Sequence, residues 1–173
     1  MRCFISLDIP EKIIKEISKI QNQLPDFIGK KTELKNLHLT LKFLGGVDEN
    51  KLEKVKSCLE KISFKKFETK IKTIGVFSEK HIRIIWLSLV NCEKLQKEID
   101  NSLKELFKKE KRFMGHLTIA RVKKIKNKNE FLEKLNKIKI QKIKFEIDKF
   151  KLKSSVLKPE GPFYEDVQDY YLN

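Results

Sequence analysis

Residues 36–46 read Asn36-Leu37-His38-Leu39-Thr40-Leu41-Lys42-Phe43-Leu44-Gly45-Gly46. From His38 to Phe43 polar and apolar side chains alternate strictly, the period-2 pattern of a half-buried β-strand. Alternation predicts His38, Thr40 and Lys42 on one face, with Leu39, Leu41 and Phe43 on the other. An imidazole, a hydroxyl and an ammonium carried on one rigid face can handle an anion. The His-Leu-Thr core recurs as His116-Leu117-Thr118 within His116-Leu117-Thr118-Ile119-Ala120-Arg121, and the chain has only three histidines. The third, His81, lies in a charged turn with no threonine two residues on, and reads as an exposed bystander.

Around these two strands the chain shows one order twice: strand, helix, His-x-Thr strand, helix. Met1 to Asp8 reads as a first strand. Pro10 suits a helix start, and Ile13, Ile14, Ile17, Ile20 and Leu24 follow helical spacing up to Pro25 and Gly29. A polar stretch through Lys35 leads into the first motif. After Gly45-Gly46, Asp48 is positioned to cap a helix carrying Leu52, Val55, Leu59 and Ile62. Phe67 to Phe77 and Ile82 to Val90 read as a hairpin, with Trp86 in its core. Leu95, Ile99, Leu103 and Leu106 mark a third helix starting near Asn91. Phe131, Leu132, Leu135 and Ile138 mark a fourth, capped by Asn127 or Asn129. Ile140 to Leu157 is strand-like, and the turn Lys158-Pro159-Glu160-Gly161-Pro162 precedes a last strand to Leu172. The expectation is an α+β fold of two similar lobes from an internal duplication; if the lobes face each other, the two His-x-Thr strands meet across a cleft. No linker rich in Pro, Gly or Ser divides residues 1–173, so one compact domain is expected.

Composition narrows the function. At 173 residues with 40% hydrophobic content, the chain suffices for one core. No apolar run approaches the roughly 18 residues of a membrane span, and the quickly acidic start does not read as a signal peptide. Cys3, Cys58 and Cys92 show no C-x-x-C or Cys/His ligand spacing, so neither a zinc site nor a disulfide framework is indicated, and a cytoplasmic location is expected. The formal charge of +15 favours a polyanionic partner. Arg2, Arg83, Arg112 and Arg121 are the only arginines, and a lysine excess of this kind reads equally as background composition.

The paired motifs Asn36-Leu37-His38-Leu39-Thr40-Leu41-Lys42-Phe43-Leu44-Gly45-Gly46 and Met114-Gly115-His116-Leu117-Thr118-Ile119-Ala120-Arg121 resemble the two-histidine (2H) phosphoesterase superfamily. More closely the chain resembles its 2′-5′ RNA ligase branch, the RNA 2′,3′-cyclic phosphodiesterases. Asp8-Ile9-Pro10, Ser154-Ser155-Val156-Leu157 and Gly161-Pro162-Phe163-Tyr164 belong to the same resemblance, which covers the whole chain. One departure is Gly115, where many relatives carry proline. The resemblance implies a bilobal α+β fold with a pseudo-two-fold axis, antiparallel sheets lining a central cleft and helices packed outside, and metal-free hydrolysis of RNA 2′,3′-cyclic phosphate ends to 2′-phosphomonoesters. It also implies ATP-independent 2′-5′ joining of RNA, on fragments such as tRNA halves. No P-loop or K-x-D-G motif is present, in keeping with an ATP-free reaction and no cofactor. A monomer is expected.

Opening a cyclic phosphodiester takes one proton from water and delivers another to the departing ribose oxygen. Imidazoles, with an ordinary pKa of about 6.5, suit both tasks. His116 is expected as general base towards water and His38 as general acid towards O3′, a pairing that pseudo-symmetry could reverse. Thr40 and Thr118 can donate to the non-bridging oxygens, where charge gathers in the transition state. The resemblance assigns Arg121 to the phosphate. Its spacing does not, because five residues beyond His116 falls on the opposite face unless the strand bends or the side chain wraps round. By the same offset Phe43 corresponds to Arg121 and is read either as a platform for a nucleobase or as core. Lys42 is read as an RNA contact or as solvated. The competing classes are a non-catalytic RNA or nucleotide binder using the same cleft, and a nuclease using the histidines as metal ligands. The absence of carboxylates from both motifs argues against a metal.

Overall fold

The opening segment forms β1 (Arg2–Asp8), with Ile5 and Leu7 fully enclosed. Pro10 stands at the N-cap of α1 (Glu11–Asn22), where its missing N–H costs little, and Ile13, Ile17 and Ile20 form the buried stripe. The polar stretch that follows holds a short strand, β2 (Ile28–Lys31), and a 3₁₀ turn, Leu34–Asn36. The first motif is β3 (His38–Gly46). Asp48 caps α2 (Glu49–Glu60) by accepting from the Lys51 N–H at 2.8 Å, a contact worth about 1 kcal/mol. The expected hairpin is β4 (Phe67–Val76) paired antiparallel with β5 (Ile84–Val90). Then come α3 (Glu93–Ser102), β6 (His116–Lys124) with the second motif, and α4 (Lys128–Asn136), whose cap is Asn127 accepting from the Glu130 N–H at 3.0 Å.

The end of the chain forms β7 (Ile143–Ile147), β8 (Lys149–Lys158) and β9 (Gly161–Tyr171). The computed structural model describes residues 1–159 and 161–173, so Glu160 in the expected turn Lys158-Pro159-Glu160-Gly161-Pro162 lies outside the described residues. The single strand expected over Ile140–Leu157 is two strands parted at Asp148, and they join opposite ends of the sheet.

Among the described residues nine strands form one sheet, ordered β7-β4-β5-β6-β3-β1-β8-β9, with β2 pairing the flank of β6. All recorded pairings are antiparallel. The two motif strands lie at its centre, joined by the single pair Leu39–Leu117. The lobes are therefore β3-β1-β8-β9 and β6-β5-β4-β7. The chain is stitched between them, because β4 leaves the first half to pair in the second lobe and β8 returns to the first. Helices cover one face: α3 packs on β3, α4 on β4, α2 against α3 and β9, and α1 reaches β7. The other face is the cleft. No helix among the described residues is long and apolar enough to cross a membrane.

Alternation in β3 does not hold as the sequence predicts. Leu41 and Lys42 are both buried in succession, and Phe43 is exposed. Lys42 therefore lies on the helix side and not beside His38. Its ammonium pairs with the Asp100 carboxylate of α3 and donates to the Lys108 carbonyl at 2.8 Å. Asp100 also accepts from Gln96 Nε2 at 2.8 Å and from the Glu110 N–H at 2.9 Å. Burial alone would raise the Asp100 pKa, but the hydrogen bonds from Lys42, Gln96 and Glu110, with the Lys42 charge, bring it below the ordinary aspartate value. The RNA contact read for Lys42 is thus corrected: it is one half of a satisfied buried ion pair.

Removing one partner of such a pair leaves a buried uncompensated charge, at a cost of about 3–5 kcal/mol. Lys42→Met should lower stability by that order in urea unfolding, and Lys42→Met with Asp100→Leu should recover most of it. Since Asp100 titrates lower when folded, its contribution is full above the ordinary aspartate pKa and is lost as pH falls through the folded value.

Candidate active site

The reversal in β3 has a definite cause. Ile5 of β1 pairs Lys42, but the next residue, Ser6, pairs Thr40, so Leu41 is an extra residue: a β-bulge. In β6 the same happens. Ile85 pairs Ala120 and Trp86 pairs Thr118, leaving Ile119 as the extra residue. Ile119 and Ala120 are both buried, and Arg121 emerges exposed on the cleft face with His116 and Thr118. The misfit between the spacing of Arg121 and strict alternation is resolved by this bulge. Phe43, 76% exposed, stands at the matching position after His38. The bulges are supported from below. Gln21 of α1 donates to the Ile119 carbonyl at 2.9 Å, as does the Thr32 N–H, while α3 supplies Asp100 to Lys42.

Both histidines are anchored alike. His38 Nδ1 lies 2.8 Å from the Asn36 carbonyl, and His116 Nδ1 lies 2.8 Å from the Met114 carbonyl. A carbonyl only accepts, so Nδ1 donates in each ring, and Nε2 is the nitrogen left for proton exchange. Gly115 fits this arrangement. Its carbonyl accepts from the Leu89 N–H at 2.8 Å, and a Cβ there would meet the Leu89 oxygen at 2.4 Å.

The single Leu39–Leu117 pair brings the two motifs side by side on the cleft face. Burial lowers the His38 pKa, and the charges of Lys153 and Arg121 lower it further, against the raising effects of the Asn36 carbonyl and Asp8. Arg121, from one lobe, thus lies within electrostatic reach of His38 in the other. It also acts on Tyr164, whose phenol burial pushes above its ordinary value and so keeps protonated near neutrality.

The surroundings of the two rings differ. His38 has Phe4 at 5.0 Å between ring centroids and Tyr164 edge-on at 5.1 Å. Beside it, Lys153 bonds Asp8 at 2.7 Å and Asp166 at 3.1 Å, while Lys151 bonds Asp8 at 2.9 Å and also Asp166. Burial opposes charge on Asp8, yet the two lysines hold it below the ordinary aspartate value. His116 instead has Phe77 edge-on at 4.9 Å, backed by Trp86 at 5.7 Å from Phe77. Trp86 is therefore on the cleft face, half-buried, and not in the helix-side core as its apolar run suggested. Its Nε1 is enclosed without a hydrogen-bond partner among the described residues.

The structure thus brings His38, Thr40, Phe43, His116, Thr118 and Arg121 to one face, and removes Lys42 from it. Sequence reasoning left Asp8, Lys153 and Tyr164 without a role. The signal available for them was the alternation of Lys149, Lys151 and Lys153 and the Gly161-Pro162-Phe163-Tyr164 run. His81 is exposed, its backbone N–H donating to Ser78 Oγ at 3.2 Å. No group of three or more His, Cys, Asp or Glu suited to a metal ion exists among the described residues. Asn36, Lys153 and Tyr164 line a recess of about 200 Å³ next to His38.

Comparison with known proteins accords with this geometry. The family model described as LigT like Phosphoesterase matches twice, over residues 7–86 and 90–164, once for each half of the duplication. A Methanocaldococcus jannaschii protein named RNA 2′,3′-cyclic phosphodiesterase is 41% identical, covering 98% of this chain and 100% of its own length. A Thermotoga maritima protein of the same name is 36% identical over 95% of this chain and 92% of its own. Among solved structures, a Thermus thermophilus protein superposes with a TM-score of 0.85 at 23% identity, over 99% of this chain and 97% of its own. Escherichia coli LigT complexed with 3′-AMP gives 0.80 at 20% identity, with coverage of 99% and 97%. With both halves matched by the family model and near-complete relatives of high identity, the chain belongs to the LigT-like phosphoesterase family.

Proposed function

We propose that this chain hydrolyses RNA 2′,3′-cyclic phosphate ends to 2′-phosphomonoesters, without a metal, by paired histidine acid–base catalysis. The observation that carries the reading is the pair of identically anchored imidazoles on adjoining strands, with Arg121 within reach of the His38 side. Support for the substrate comes from the relatives named RNA 2′,3′-cyclic phosphodiesterase at 41% and 36% identity. The residues 1–173 act as one unit, as the near-complete match in length favours.

The steps follow from the donors present. Water attacks phosphorus while His116 Nε2 takes its proton. The P–O3′ bond breaks, and His38 delivers a proton from Nε2 to O3′, leaving the phosphate on O2′. Thr40, Thr118 and Arg121 hold the non-bridging oxygens, where charge concentrates in the transition state. Burial makes the His38 imidazolium a stronger acid than an ordinary one, but a less populated one, and the negative phosphate opposes that loss when it binds. Phe43, exposed beyond the bulge, is a platform for a nucleobase. The same ring opening with an RNA 5′-hydroxyl in place of water as nucleophile, its proton taken by His116 and the P–O3′ bond again breaking with a proton delivered to O3′, forms the 2′-5′ phosphodiester and is ATP-independent ligation. The reducing cytosol suits three cysteines that are all free.

His38→Ala and His116→Ala should each cut kcat/KM on a 2′,3′-cyclic mononucleotide by at least about 10²–10⁴, with the folded state retained. Chromatography should show only the 2′-phosphate, and EDTA should leave the rate unchanged. A 3′-phosphate product, or EDTA-sensitive turnover, would sink the mechanism, and RNA binding without turnover would leave a binding protein. The kcat/KM profile should be bell-shaped in pH.

Lys153→Met removes a cation that lowers the His38 pKa and leaves Asp8, which raises it. The His38 titration followed by imidazole NMR should therefore move to higher pH in that variant. A move to lower pH would contradict the electrostatics of the site.

A further inference from the structure

Beside His38 a recess of about 200 Å³ opens between the 3₁₀ turn Leu34–Asn36 and the start of β9. That is below the roughly 300–1,000 Å³ of a pocket that encloses a whole small molecule, so it has room for part of a nucleotide only. His38, Tyr164 and Lys153 line it where the chain is partly buried, and Lys35 and Phe163 line it where the chain is exposed. Lys153 Nζ donates to Asp8 and Asp166, which leaves one of its three hydrogens uncommitted among the described residues. The Lys35 side chain is 76% exposed, its ammonium held at 3.2 Å from Glu33. Phe163 is 41% exposed, and the Lys158 ammonium lies 4.0 Å from its ring centroid. Two cations, an aromatic face and an amide around a space of this size fit one phosphate and the edge of one base.

We propose that this recess binds the RNA nucleotide immediately 5′ of the one bearing the cyclic phosphate, its phosphate held by Lys35 and Lys153 and its base against Phe163. The charge along the rim extends the path. All four residues of β2 are exposed, and its Lys30 and Lys31 pair in register with Arg121 and Ala120. Residues 111–129 contain Lys111, Arg112, Arg121, Lys123, Lys124, Lys126 and Lys128 without a carboxylate. Over residues 111–129 the lysine excess is not diluted by acids, and the remaining RNA follows that stretch.

This inference rests on the phosphodiesterase reading and separates from it in one experiment. Wild-type protein, Phe163→Ala and Lys35→Glu are assayed on a 2′,3′-cyclic mononucleotide and on a dinucleotide ending in the same cyclic phosphate, over a salt series. Wild type should prefer the dinucleotide in kcat/KM. Phe163→Ala should reduce the dinucleotide-to-mononucleotide ratio about tenfold, within the range of one lost base stack. Lys35→Glu should reduce the ratio as well and flatten its log–log salt dependence by about 0.7–1. Both side chains are exposed, and thermal unfolding checks that both variants fold. A wild-type ratio near one, ratios unchanged in both variants, or equal losses on both substrates would overturn the subsite. Failure of the wild type to turn over either compound would overturn the phosphodiesterase reading itself.

Discussion

The cleft depends on one extra residue in each of two strands. Leu41 in β3 and Ile119 in β6 have no register partner in the neighbouring strand, and each shifts the following residue to the helix side. Without them, the side chain five places after each histidine would point into the core. With them, Phe43 and Arg121 join the histidines and threonines on the open face. A bulge leaves backbone groups off the ladder, and they need partners. At Ile119 the carbonyl accepts from Gln21 and Thr32, and at Lys42 the buried ammonium meets Asp100. Helices from both halves thus hold the geometry of the site from the side that never meets substrate.

The pseudo-two-fold relation makes the differences between lobes readable. Asp8 lies in register with His38, and Ser88 with His116. Ser6 lies opposite Thr40 with Lys151 behind it, whereas Trp86 lies opposite Thr118 with Gly75 behind it. A Cβ on Gly75 would come within 2.8 Å of the Trp86 ring, so the glycine makes room for the indole. Both histidines have aromatic neighbours, but only the His38 side adds a network of lysines and aspartates. Two halves of one architecture present different chemistry to the two sides of the cleft.

Much of this was legible. The His-x-Thr repeat, both asparagine and aspartate caps and the hairpin follow from local chemistry, and local chemistry is what a linear pattern records. The identity of His38, His116, Thr40 and Thr118 as neighbours follows from the duplication. Arg121 and Lys42 did not follow, for a single reason. A period-2 pattern is blind to an inserted bulge, because the residues around it, Leu41-Lys42 and Ile119-Ala120, look like ordinary strand residues. The strand β2 was missed because none of its four side chains is buried, so no apolar alternation marks it.

By itself the sequence determined most of the strands and helices, though not β2 or the break at Asp148, that the chain is a duplicated α+β body, and which two imidazoles and two hydroxyls recur in its paired motifs. Only the tertiary structure decided which side of each strand faces the cleft beyond its bulge, and that Lys42 is structural while Lys153, Tyr164 and Asp8 surround His38. The physical reason is range. Strand and cap signals act over a few residues, whereas a bulge is defined by its partner strand, and an ion network such as Lys153 with Asp8 and Asp166 joins residues far apart in the chain.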